Sequence, residues 1–164
     1  MRTTERQCRE NEPTIDDMRY DLAEQEAMNM NVEDKLGWLE ETCRVLKPGG
    51  RAVLYEVCGS VNTPLYFPVP WAQDDSMSFL VPPDSFRDFI TSAGFNIHVW
   101  NDKTSLARNA FKDAKKPVGE PDLPVLGVYL LVGDDIQTKA YNLHRNLEED
   151  RVSLIETMVE KPAL

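Results

Sequence analysis

Residues 43–57 read CRVLKPGGRAVLYEV. A helix with apolar residues at helical spacing ends at Leu46, and the chain is expected to turn through Lys47-Pro48-Gly49-Gly50. The next segment, RAVLYEV (51–57), is nearly continuous apolar sequence, as in a strand buried on both faces of a parallel sheet. Helix, short turn and buried strand make half of a βαβ crossover. Such a unit needs a partner strand ahead of the helix. The available segment is MRYDLAEQ (18–25), whose Glu24 and Gln25 fall where a buried strand is apolar. The helix, NVEDKLGWLEETCRVL (31–46), has Asn31 as its expected cap and Glu33 and Asp34 at the positive end of its dipole. Leu36, Leu39, Cys43 and Leu46 share one of its faces.

Beyond the strand, residues 59–83 are rich in proline and aromatics and too irregular for one element, which marks a functional or mobile loop. Pro82-Pro83 suits a helix start. PDSFRDFITSAGF (83–95) then reads as a helix with Phe86, Phe89, Ile90 and Ala93 inward and Gly94 as terminator. FNIHVW (95–100) alternates as a strand, which puts His98 outward in a plain structural role. Residues 101–123 are charged and read as a surface helix and linker, with Lys112, Lys115 and Lys116 on a solvated face. PVLGVYLLVG (124–133) fits helix or strand, with helix preferred. DIQTKAYNLHRNLEED (135–150) is an amphipathic helix with His144 on its polar side, and RVSLIETMVEKP (151–162) is a final strand. Glu148-Glu149-Asp150 marks the turn between them. Residues 1–17 are polar and patternless, and are expected to be disordered or displaced from a domain formed by 18–164.

The 164 residues carry a net charge of −10, which argues against nucleic acid as a partner because phosphate binding requires a basic face. No apolar run is long enough for a membrane span, and MRTTERQCRE has no apolar segment of the kind a secretory signal needs. Cys8, Cys43 and Cys58 match no zinc spacing, and Cys58 reads as a small buried residue. The odd count fits a reducing compartment, so a cytoplasmic location is expected.

Four segments in order carry a family resemblance: NMNVEDKLGWLEETCRVLKPGGRAVLYEV, YFPVPWA (66–72), VPPDSFRDFITSAGF and NLHRNLEEDRVSLIETMVEKP. Together they resemble the second half of a class I S-adenosylmethionine-dependent methyltransferase of the small-molecule, type 11 group, over roughly residues 15–162. The resemblance implies an α/β fold, a partial Rossmann-like domain with a mixed, mostly parallel sheet flanked by helices. Of the family's seven strands, this chain would supply strands 4, 5, 7 and 6, in that spatial order. Family members begin with a glycine-rich G-x-G-x-G turn and an acidic ribose-binding residue. This sequence has no G-x-G, and its first glycine, Gly37, lies inside a helix. The resemblance therefore implies a truncated or split enzyme whose cofactor-binding half lies elsewhere.

The resemblance also implies site residues. S-adenosylmethionine lies across the carboxyl ends of the strands, so Glu26, Met30 and Asn31, which follow strand 4, are the expected cofactor contacts. Glu56, at the end of strand 5, is the expected base for an oxygen, nitrogen or carbon nucleophile. Tyr66, Phe67 and Trp71 are expected to wall an apolar acceptor pocket. Each has a plainer reading: Glu56 as a solvated or capping carboxylate, and the aromatics as loop anchors packed on the core. Expected partners are a small-molecule substrate and a second copy or a different chain covering the strand 4 edge, with no nucleic acid or membrane. The alternative function is a non-catalytic, methyltransferase-like binding or regulatory subunit.

Overall fold

The structure, a computed structural model, describes residues 20–26, 28–61, 63–112 and 133–163. In chain order the elements are β1 (Tyr20–Glu26), a 3-10 turn (Asn29–Asn31), α1 (Lys35–Val45), β2 (Leu46–Gly59), a second 3-10 turn (Asp75–Met77) and α2 (Pro83–Ser92). There follow β3 (Asn96–Asp102), α3 (Thr104–Phe111), α4 (Ile136–Glu148) and β4 (Val152–Glu160). The four strands form one mixed sheet in the order β1-β2-β4-β3. β1 pairs with β2 in parallel, and β4 runs antiparallel to both β2 and β3. Three strands therefore point one way and β4 points back between two of them. The expected segment 1–17 and the 124–132 part of PVLGVYLLVG lie outside the described residues.

Successive residues of β2 alternate between two cores. Ala52, Leu54 and Cys58 join Leu39 and Cys43 of α1, Phe86 and Ile90 of α2, and Ile155 and Val159 of β4. Val57 joins Ala107 of α3, Leu143 and Leu147 of α4, and Val152 of β4. Of the inward residues expected of the 83–95 helix, Phe86 and Ile90 are fully enclosed and Ala93 nearly so, while Phe89 is half-buried against the same core.

One local expectation is met and two are corrected. The strand expected ahead of the helix is present as Tyr20–Glu26, at the sheet edge among the described residues, where Glu24 faces solvent. Gln25 is accommodated by donating from Nε2 to Thr42 Oγ1 of α1 at 3.1 Å. The cap of α1 is Asp34 and not Asn31: Asp34 Oδ1 accepts from the Gly37 amide at 2.8 Å, while Asn31 ends the preceding 3-10 turn. Finally, Lys47–Gly50 is not a free turn but the first part of β2. Gly49 and Gly50 exchange backbone hydrogen bonds with Lys161 just beyond β4, both at 2.9 Å.

The two glycines make that entry possible for different reasons. Gly49 has φ +75°, and a Cβ on Gly50 would sit 2.8 Å from the Lys47 carbonyl oxygen. Lys161 completes the joint by donating from Nζ to the Cys43 and Leu46 carbonyls, both at 2.9 Å, at the carboxyl end of α1 where helical carbonyls lack partners. Gly50→Ala is expected to destabilise the chain by about 1–3 kcal/mol, because backbone must move apart. Gly49→Ala should cost about 1–2 kcal/mol from the left-handed backbone alone. Urea unfolding of both variants measures the two costs, and a Gly50→Ala cost no greater than a few tenths of a kcal/mol would contradict the close packing at this joint.

Candidate functional site

The carboxyl ends of β1 and β2 lie side by side, since the strands are parallel and in register from Leu22↔Arg51 to Glu26↔Tyr55. The chain leaves β1, makes the 3-10 turn and enters α1. That turn is gripped on two sides. Glu56, fully buried on β2, accepts from the Met28 amide at 3.2 Å (Oε1) and 3.0 Å (Oε2), and from the Asn29 amide at 3.0 Å. Lys35, at the start of α1, is 2% exposed and donates from Nζ to the Asn29 carbonyl at 2.6 Å and to the Val32 carbonyl. Burial lowers the Lys35 pKa, against which the nearby Glu56 charge acts. Buried charges of this kind need partners, and here a backbone turn supplies them to both.

The turn in turn carries the irregular 60–82 loop. The Met30 carbonyl accepts from the Phe79 amide at 2.8 Å. Asn31 Nδ2 donates to the Trp71 and Met77 carbonyls, each at 2.8 Å. From the other side α4 reaches the loop with two asparagines. Asn146, fully buried, accepts from the Tyr66 amide at 2.9 Å and donates to the Tyr66 carbonyl at 3.0 Å, and Asn142 donates to the Pro68 carbonyl at 3.0 Å. The loop is thus tied down along its length although it has little regular structure.

The three aromatic residues expected to wall a pocket separate into different settings. The Tyr66 ring lies between the guanidinium groups of Arg145 and Arg151, 3.6 Å and 4.1 Å from its centroid. Its hydroxyl donates to Glu149 Oε2 and accepts from Arg151 Nη2, both at 2.9 Å. The hydrogen bonds from Arg151 and Tyr66 hold the Glu149 carboxyl below its ordinary pKa. Trp71 packs on the cluster containing Met30, Val57 and Leu147, and its Nε1 donates to Ser78 Oγ at 3.0 Å. Phe67 lines a cleft of about 410 Å³ at the end of β2, together with Gly59, Leu65, Asp74, Ser78 and Leu80. Met30 is buried and Asn31 is spent on loop carbonyls, while Glu26 ends β1.

Four residues of this region went unread in the sequence: Asn29, Lys35, Asn142 and Asn146. Asn142 and Asn146 sit among Lys139, Leu143 and Leu147 on the buried side of α4, so a polar residue on an apolar stripe was the available signal. Lys35 and Asn29 gave none: Lys35 bonds main-chain carbonyls, which no side-chain pattern marks, and the Asn29 amide meets Glu56, 27 positions away. Asn29 is 1% exposed, and its side-chain oxygen and nitrogen have no hydrogen-bond partner among the described residues. His144 is half-buried and not exposed, and its Nδ1 likewise has none. His98 is exposed, 3.5 Å from a Glu160 oxygen. Among the described residues no cluster of metal-ligating side chains occurs, and no helix is long and apolar enough to cross a membrane.

No family model matches the chain, and no curated protein does. Solved structures do. The geranyl diphosphate C-methyltransferase of Streptomyces coelicolor A3(2), solved with Mg2+, geranyl diphosphate and S-adenosyl-L-homocysteine, is similar with a TM-score of 0.62 at 15% identity, over 92% of this chain and 49% of that one. The phosphoethanolamine N-methyltransferase 2 of Haemonchus contortus, in complex with phosphomonomethylethanolamine and S-adenosylhomocysteine, gives 0.60 at 12%, over 91% of this chain and 35% of that one. The [4+2]-cyclase SpnF gives 0.56 at 17%, over 90% and 52%. The likeness is one of fold, that of the class I S-adenosylmethionine-dependent methyltransferases, and the chain spans about half or less of these neighbours' length.

Two measurements probe the local chemistry. Burial, aided by the Glu56 charge, pushes the Cys58 thiol from 9.0 up to about 12. The neutral thiol is favoured in the folded state, so its contribution is intact below pH 9.0 and is lost as pH climbs toward about 12. The loss is about 1.4 kcal/mol per pH unit inside that window. Urea unfolding at a series of alkaline pH values should show that slope in the chain and not in Cys58→Ala; parallel curves would refute it. Asn146→Ala leaves both backbone groups of Tyr66 without their partner and should cost about 2–3 kcal/mol by the same method. A cost near zero would mean that the loop does not depend on α4.

Proposed function

We propose that this chain forms the acceptor-side half of an S-adenosylmethionine-dependent methyltransferase that moves a methyl group to an oxygen, nitrogen or carbon of a small molecule. The observation that carries the reading is the sheet. Three strands in one direction with an antiparallel β4 inserted between β2 and β3, and helices on both faces, match methyltransferases over nine-tenths of the chain. In this reading β1, β2, β4 and β3 correspond to family strands 4, 5, 7 and 6. The remaining half of the fold adjoins the outer edge of β1, whether the same polypeptide or another supplies it. Exposed Tyr20, Leu22 and Met28 along that edge support a partner there.

The residues at the carboxyl end of β1 suit a polar cofactor in one respect: the buried Asn29 carboxamide retains unused hydrogen-bonding capacity. Glu26, Met30 and Asn31 are the proposed contacts, with Met30 and Asn31 acting mainly by fixing the turn. What the cofactor supplies when bound is an electrophilic methyl group. The task left to the protein is alignment, since in-line displacement depends on holding the two reactants at the right distance and angle. The cleft at Phe67 is the proposed acceptor site, and Tyr66 and Trp71 hold its loop in place.

A second reading, a non-catalytic subunit with a methyltransferase fold, is favoured by the absence of any G-x-G from the sequence. SpnF, a [4+2]-cyclase, has a similar fold, so the fold also serves chemistry other than methyl transfer. Calorimetric titration with S-adenosylhomocysteine separates the readings. The chain, alone or in complex with any chain that co-purifies with it, should bind at micromolar concentration, and Asn31→Ala should weaken binding about tenfold by loosening the turn, about one lost hydrogen bond. No detectable heat from either sample, shown to be folded, would sink the enzyme reading and leave the subunit.

A further inference from the structure

We propose that Glu56 is a positioning residue and not a base: it sets the acceptor loop by way of the 3-10 turn after β1. The inference rests on the acceptor-site reading for the loop's role, but the coupling itself stands on geometry alone. Both Glu56 oxygens accept from main-chain amides of Met28 and Asn29, and the side chain is fully buried. A carboxylate so engaged is badly placed to take a substrate's proton, because it would have to release main-chain amides, one of them that of the buried Asn29. Lys35 holds the same turn from the opposite side, through the Asn29 and Val32 carbonyls.

The turn passes this order on. Directly after the residues that Glu56 holds come Met30, whose carbonyl takes the Phe79 amide at 2.8 Å, and Asn31, whose side chain takes the Trp71 and Met77 carbonyls. Trp71 then fixes Ser78 through its indole N–H at 3.0 Å, and Ser78 lines the same cleft as Phe67. One unbroken series of bonds therefore runs from a β2 carboxylate, through the end of β1, to the wall of the cleft. A ligand that displaces the turn would also move the cleft, and the reverse holds by linkage.

The test uses the chain labelled with fluorotryptophan, whose Trp38, Trp71 and Trp100 give separate fluorine NMR signals, assigned by single Trp→Phe variants. Glu56→Gln keeps the shape but replaces one acceptor oxygen by an NH2 group. The Trp71 signal should shift or double while Trp38 and Trp100 stay in place, and the Phe79 amide should exchange about tenfold faster, as for one weakened hydrogen bond. Asn31→Ala should move the Trp71 signal too, with the Met28 and Asn29 amides still protected. If Glu56→Gln collapses all three signals together, Lys35→Met is read in the same way. The proposal is overturned if only the Met28 and Asn29 amides respond and Trp71 and Phe79 do not. Failure here would leave the methyltransferase reading intact, since that reading stands or falls on cofactor binding.

Discussion

A carboxylate inside a protein must find hydrogen-bond donors, and the interior end of β2 offers no water. Glu56 finds them in the first two amides after the Ala27 link that follows β1. These bonds tie the turn between β1 and α1 to β2. Lys35 then closes the arrangement with an opposite charge on the carbonyl side of the same turn. Buried charges commonly give little net stability, and what these two do is hold the turn from both sides. Specificity of position, more than energy, is what the arrangement supplies.

The 60–82 loop follows the same logic with neutral groups. Where that loop is buried or half-buried, around Val69 and Ala72, its backbone donors and acceptors need partners within the protein. Asparagine suits the task because one side chain both donates and accepts. Asn146 answers the N–H and C=O of Tyr66 at once, and Asn31 answers two carbonyls with one amide nitrogen. The Arg145–Tyr66–Arg151 stack adds a clasp at the surface end, where Glu149 offsets two cations.

The sequence made the repeating parts of this fold readable. Helical spacing at Leu39 and Cys43 and at Phe86 and Ile90, and the apolar run of RAVLYEV, all depend on neighbours a few positions away, and these residues lie in the expected elements, whereas Leu46, expected to end the helix, already opens β2. The joint at Lys47–Gly50 was misread because a glycine pair looks like a turn until a partner strand is present. Lys161, more than a hundred positions later, is what makes it part of a ladder. Asn31 looked like a cap for a related reason: its partners, Trp71 and Met77, are 40 and 46 positions away, so proximity in sequence favoured the helix start. The setting of Glu56 was hidden in the same way, since a lone acid in an apolar strand does not reveal which amides it meets.

Among the described residues β1 is an edge strand, and its composition bears on self-pairing. Tyr20 and Leu22 are 48% and 61% exposed, which favours contact, yet the strand also carries Asp21 and Glu24. Lys47 meets Asp21 at 2.8 Å. Pairing two copies of β1 would bring these carboxylates onto adjacent strands, and like charges across a ladder are unfavourable. Acidic edge residues are also a common means of keeping an open strand from joining its own copy. A neighbour strand of different sequence, bearing basic or neutral residues opposite those acids, gains the apolar contact without that repulsion. The acidic residues of this seven-residue strand therefore disfavour its pairing with its own copy.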